Sequence, residues 1–384
     1  MIQQEARIKE LTRESAELLR QMVAIPSPSF DENEVCDLLC KYLTSKNITH
    51  ERIGHNIVAE HIADPELPTL LLCAHIDTVM PGNDYSFDPY TPDDTLAAEA
   101  VRKATGTEHK PSEIVAGLGS NDDGASVVSM IAAYSFLTEN DCYKDRIPNL
   151  TLALTCEEEK SGKNGMSSLW PNRLSRIPYA IIGEPTKMQV ATSERGLLVI
   201  DAEAKGISGH AGNNEGRNAI YIALQDIQTI LSHDFRRESP LMGKVNINVT
   251  QINAGSAHNI VPDSCRYVID IRPTEQYTNK EILDELQEIC SSSLTPRNLA
   301  NRSSATAKGS PLLKAAESLR LATFSSPTTS DWMRTGCDAV KMGPGDSRRS
   351  HKKDEFVLVS EIEQGIRTYI DFIKQFRHEY DTME

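Results

Sequence analysis

The stretch "TLLLCAHIDTV", residues 69–79, decides the fold. Thr69 to Cys73 make a short, almost wholly apolar run bounded by Pro68, as expected of a strand covered on both faces in a parallel sheet. The run then reaches His75, with Asp77 two residues on. "NLTLALTC" (149–156) and "PYAIIGE" (178–184) have the same character, and the helical run "GASVVSMIAAYSFL" (124–137) separates the first two strands. Strands alternating with a helix long enough to cross a sheet predict an α/β domain with a mostly parallel sheet.

From about residue 188 the pattern changes. "VATSERGLLVIDAEAKG" (190–206), "KVNINVTQIN" (244–253) and "CRYVIDIRP" (265–273) read as strands. "GRNAIYIALQDIQTIL" (216–231) and "NKEILDELQEICSSS" (279–293) read as amphipathic helices. The order predicts a β-α-β-β-α-β, ferredoxin-like α+β domain over 188–299, inserted into a discontinuous larger domain of 1–187 and 300–384. Residues 92–113, "PDDTLAAEAVRKATGTEHKPSE", read as a surface loop or excursion.

The chain has 384 residues, 39% hydrophobic and 25% charged, a composition that excludes a disordered protein. Its formal net charge of -15 opposes binding to nucleic acid phosphates. No apolar run approaches the ~18 residues of a membrane span. At the N-terminus Ile8, Leu11, Leu18 and Met22 recur among charges, which predicts an amphipathic helix and not a signal peptide. Eight scattered cysteines include no CxxC pair. They read as reduced thiols of a cytoplasmic protein, with Cys73 and Cys156 as small strand hydrophobes and Cys36 and Cys40 as helix packing.

The polar residues gather where strands stop. The runs end at His75, at Glu157, Glu158 and Glu159, and at Glu184. The loops "GLGSNDDG" (117–124) and "GPGDSRRSH" (343–351) add Asp122, Asp123 and His351. Loops at the carboxyl ends of parallel strands meet in one crevice, where ligands bind. Singly, each residue has an ordinary explanation: a lone His caps a surface, and a Glu triplet is a solvated face. Together, converging carboxylates and imidazoles need a cation, and His with carboxylate is a typical zinc ligand set. No GxSxG elbow, HExxH helix or Walker A loop competes.

In order along the chain, "HIDTV", "GLGSNDDG", "EEE" with "SGKNG", "GEPT", "GHAG", "HNIVPDSCRYVIDIR" and "GPG" before "SH" resemble the M20 metallopeptidase family. The resemblance spans nearly the whole chain and is nearest to the acetylornithine deacetylase-like branch. It implies a catalytic domain holding two zinc ions, with cobalt or manganese as alternatives, and an inserted lid and dimerisation domain. His75 and Glu184 would bind the first metal, Glu159 and His351 the second, and Asp122 would bridge them. Glu158 would be the general base; a shift of one would make Glu157 the base and Glu158 a ligand. Asp77, two positions past His75, would accept the imidazole's other N–H without touching metal. His210 would donate to the oxyanion, often from a partner subunit, and Asn259 and Arg272 would bind substrate. Arg272 reads equally as one half of a surface ion pair.

Many relatives carry Lys before the glycine that here follows Asp123; an extra carboxylate there would lie at the surface or alter metal preference. The implied function is hydrolysis of an N-acyl amino acid such as acetylornithine, as in arginine biosynthesis, by a cytoplasmic homodimer. A dipeptidase, a succinyl-amino-acid desuccinylase and a catalytically silent binding relative are the alternatives.

Overall fold

The computed structural model describes residues 2–139, 143, 146–213 and 215–383, in two compact units. The first unit comprises Met1–Thr192, Thr306–Phe324 and Ser330–Glu384. Its sheet runs, in spatial order, His50–Ile53, Asn56–His61, Asn149–Thr155, Thr69–His75, Tyr179–Ile182 and Asp338–Lys341. The last four are mutually parallel and the first two add an antiparallel edge. The architecture is α/β with a mixed, mostly parallel sheet, as the alternation predicts.

The strand Thr69–His75 is buried on both faces. Leu70, Leu72 and Ala74 join the core under the helices, while Leu71 and Cys73 pack on the opposite side with Trp332, Leu169 and Ala180. Helix Gly124–Thr138 is buried from Gly124 to Leu137, because helices Ile2–Val23 and Val359–Asp381 cover it from outside. The N-terminal helix buries Ile8, Leu11, Leu18 and Met22, the stripe read from the sequence.

The register sets the chemistry. His75 pairs with Thr155, Cys73 with Ile182, and Ile182 with Lys341, so four parallel strands end level. Gly183 lets the third continue into the site: a Cβ there would stand 2.7 Å from an Asp123 carboxylate oxygen.

Residues 92–113 are not simply a loop. Asp94–Thr105 is a helix, capped by the Asp93 carboxylate on the Thr95 and Leu96 N–H groups and ended by Gly106 at φ 73°. Its polar face hid the buried stripe of Ala97 and Val101, which packs with Phe87, Ile114 and Phe356.

The second unit comprises Ser193–Ala305 and Ser325–Thr329. Its antiparallel sheet has the order Asn246–Ala254, Ser264–Arg272, Leu198–Lys205, Ser293–Pro296. Helices Ala219–Ser232 and Asn279–Ile289 cover one face, burying Leu198, Ile200, Ile269 and Ile271 against Ala223, Ile230, Ile282 and Leu286. This is the expected ferredoxin-like order. The seven described cysteines are free, four of them buried; Cys142 lies outside the described residues.

Candidate metal centre

Four strand ends and one helix-initiating loop bring His75, Asp122, Glu158, Glu159, Glu184 and His351 of the first unit together. Ligand atoms of His75, Glu158 and Glu184 lie within 4.8 Å of one another, as do those of His75, Asp122 and Glu159. His75 Nε2 is 3.2 Å from Asp122 Oδ1, while His351 Nε2 is 3.8 Å from Asp122 Oδ2 and 2.9 Å from Glu159 Oε1. Asp122 thus turns one oxygen toward each histidine.

Three buried carboxylates hold the backbone of these ligand-bearing turns. Asp77 accepts from the N–H groups of Glu158 (3.0 Å) and Glu159 (3.2 Å) and from the Ser29 hydroxyl (2.6 Å). Its main-chain carbonyl, 2.9 Å from His75 Nδ1, is the nearer acceptor for that imidazole, with the carboxylate at 3.5 Å. The expected Asp77–His75 pairing is therefore made chiefly through the backbone. Glu355 accepts from the N–H groups of Asn121 and Asp122, both at 2.9 Å. Glu32 accepts from the Glu157 N–H at 3.1 Å and meets His55 Nδ1 at 2.8 Å.

The glutamate triplet divides sharply. Glu157, at φ 59°, turns its carboxylate to the Asn164 N–H (3.0 Å) and side-chain amide (2.6 Å). Glu158 and Glu159 are the members found in the two ligand groups. Asp123 is buried, not at the surface, because the chain turns inward there to start helix Gly124–Thr138.

Burial dominates the electrostatics. It pushes the Glu158 carboxyl well above the usual range, opposed by His75 and reinforced by Glu184, Asp331 and Glu159. Burial, with Asp122 alongside, does the same to Glu184 despite the buried Lys341. Burial raises Asp123 and Glu355 to about 8 and Asp331, which accepts from Thr155 Oγ1 at 2.7 Å, to about 6. The hydrogen bond to Glu159 lifts His351 to about 8. Burial works against a charged His75, but Asp122 and Asp77 prevail and hold its pKa raised. Buried acids forced to keep protons, beside imidazoles, are a donor set that a divalent cation would satisfy.

Sequence reasoning missed Glu32, Glu355, Asp331 and Lys341 near this cluster. Glu355 stands directly before the buried strand Phe356–Leu358, the one local hint that it faces inward.

A pH dependence follows. Glu158, Glu184 and Glu355 have folded pKa values above their unfolded ones, so the metal-free native state holds extra protons, and stability falls as pH rises from about 4.5 toward 8. His351 acts in the same direction from 6.5 to about 8, while the lowered Asp77 and Asp122 act oppositely near the acid end. Chelator-treated protein is expected to lose melting temperature between pH 5 and 8, and divalent metal to flatten the slope. An apoprotein Tm that rises across this interval would contradict that balance.

In the second unit His210 lies exposed on the short strand Gly209–His210 with Ile260 as its cross-strand partner, and the next residue, Ala211, donates its N–H to the Asn259 carbonyl at 3.0 Å. Arg272 makes a two-pronged pair with Asp270 at 2.8 and 3.1 Å.

Residues 192–297 match the M20 peptidase dimerisation domain. A dinuclear metal binding peptidase of the M20 family from Bacillus subtilis superposes with a TM-score of 0.70, covering 96% of this chain and 98% of that one at 14% identity. The fold is that of the M20 peptidases, a mostly parallel α/β unit carrying a dimerisation domain. A probable carboxypeptidase of Aspergillus oryzae is 29% identical over 66% of this chain and 60% of its own length. An acetylornithine deacetylase of Myxococcus xanthus is 29% identical over 56% of this chain and 61% of its own. The chain thus spans about three fifths of the length of such curated relatives.

Proposed function

We propose that this protein is a metal-dependent hydrolase of linear amides that removes the acyl group from an N-acyl amino acid, with N-acetylornithine as the first candidate. The observation that carries the reading is Asp122, whose two oxygens face His75 and His351 separately, as a carboxylate shared by two cations would. In this reading His75 and Glu184 hold one ion, Glu159 and His351 the other, and zinc is the first choice before cobalt or manganese. When bound, the ions supply Lewis acidity toward water and the amide carbonyl.

The remaining work belongs to the chain. Glu158 takes the proton from the attacking water and delivers it to the departing amine nitrogen. His210 donates to the developing oxyanion. Asn259 and Arg272 hold the substrate, Arg272 through the fork that suits a carboxylate once Asp270 yields it. The first unit is the catalytic domain and the second the lid and dimerisation domain. A cytoplasmic site is part of the proposal, in keeping with buried thiols such as Cys36 and Cys156 that serve as packing. The test is metal content together with hydrolysis of N-acetylornithine, N-succinyl amino acids and dipeptides. A purified protein that binds divalent metal and hydrolyses none of them would be a silent relative.

Peptide hydrolysis is the second reading, supported by the probable carboxypeptidase relative, which matches a larger share of the chain than the deacetylase does. Turnover of dipeptides without turnover of acetylornithine would select it.

The homodimer makes its own prediction. Glu158→Gln and His210→Ala proteins, each inactive, are mixed under subunit exchange. If His210 serves the partner's site, a mixed dimer has one intact site and regains up to half the activity. Proven exchange without recovery assigns His210 to its own chain or to no catalytic role.

A further inference from the structure

The loop that carries His351 is pinned twice to one residue. Asn121, fully buried and next to Asp122, accepts from the Asp346 N–H at 2.8 Å through its side-chain oxygen. Its amide donates to the Asp346 carbonyl at 3.2 Å and to the Ser350 hydroxyl at 3.3 Å. Its own backbone N–H donates to the Glu355 carboxylate at 2.9 Å. His351 lies between Ser350 and Glu355 in the chain, so Asn121 holds the loop on both sides of the imidazole.

The Asp346 peptide offers one donor and one acceptor, and a carboxamide answers both at once, as a neighbouring strand would. The packing leaves no slack. Gly345 stands at φ 83°, and a Cβ there would run into Asn121 Oδ1. The Asp346 carboxylate is drawn to the other side by Lys187 (2.8 Å) and Arg348 (2.7 Å), which leaves its peptide facing Asn121.

The two halves of the metal centre differ in their support. His75 ends a core strand, and Glu184 follows the core strand Tyr179–Ile182. The His351 side chain is 55% exposed, on a loop residue at φ 55°. An exposed imidazole on a loop depends on whatever holds that loop against its partners, Glu159 at 2.9 Å and Asp122 at 3.8 Å.

We infer that Asn121 is a positioning residue that sets the affinity of the second cation by holding His351 against Asp122 and Glu159. The inference rests on the two-cation reading of the site. Alanine at 121 removes the three side-chain bonds to the loop. It keeps the N–H bonds of residues 121 and 122 to Glu355, so Asp122 stays in place for the first cation.

The test titrates chelator-treated parent, Asn121→Ala, Gly345→Ala and His351→Ala proteins with cobalt(II), followed by calorimetry and visible absorption. His351→Ala identifies the second ion as the one whose binding it abolishes. Asn121→Ala is expected to weaken that ion by ~10- to 100-fold, the usual loss when a ligand's support is removed, and to leave the first ion at parental affinity. Gly345→Ala displaces the same amide from the loop side and is expected to show the same split; it decides the question if Asn121→Ala does not fold. Two ions weakened alike, or the first alone, would reduce Asn121 to packing and leave the two-cation reading standing. Parental affinity for both ions in the folded variants overturns the inference in the same way. A parent that takes up a single ion, indifferent to His351→Ala, overturns the two-cation reading and this inference with it.

Discussion

Glu158→Gln is expected to lower kcat by roughly 10²- to 10⁴-fold while the protein keeps its metal. The amide nearly matches the carboxylate in shape but cannot take a proton from water. The backbone at this position is fixed independently of the side chain, since the Glu158 N–H donates to Asp77 at 3.0 Å. His75, Asp122, Glu159, Glu184 and His351 all remain as donors. The same substitution tests the alternative, because Glu158 also lies in one of the two groups able to ligate a cation. Metal analysis and steady-state kinetics on one preparation separate the outcomes. Full metal with depressed turnover identifies the base, loss of one ion makes Glu158 a ligand, and parental turnover removes it from the mechanism. A buried carboxyl that holds its proton suits the role only once cations are beside it, so activity and metal loading should rise together with pH.

Much of this site was readable in the sequence for a physical reason. An apolar run that stops at His75, Glu158 or Glu184 shows both the stem and the group it carries, and parallel strands bring such ends level. What could not be read were groups whose role depends on distant partners. Glu355 meets Asn121 and Asp122 across 234 and 233 residues, and no local pattern announces that a carboxylate will accept those N–H groups. The glutamate triplet was ambiguous because three identical side chains carry no register; in the fold the left-handed backbone at Glu157 turns that side chain toward Asn164. The helix at Asp94–Thr105 did have local signals, the Asp93 cap and Gly106, but they were obscured by a stripe of alanines too small to stand out as a hydrophobic face.

Asp77→Ala is expected to weaken metal binding by ~10- to 100-fold without removing any direct ligand. The carboxylate gathers the Ser29 hydroxyl and the Glu158 and Glu159 N–H groups, with His75 Nδ1 3.5 Å away. Alanine would leave those donors without their acceptor in a buried site and free the turn that carries both Glu158 and Glu159. His75 would retain the Asp77 main-chain carbonyl at 2.9 Å, so its tautomer should survive, and the damage should fall mainly on the glutamates. Asp77→Asn should not rescue, since its amide NH₂ must face either the Ser29 and Glu159 donors or the Glu158 and His75 donors. Competition with a chelator of known affinity gives the metal constants, and activity at saturating metal reports how far Glu158 has moved. Parent-like affinity in both variants would reduce Asp77 to packing. A metal-loaded crystal structure with an Asp77 oxygen at ~2.0–2.2 Å from an ion would make it a ligand and overturn the supporting role.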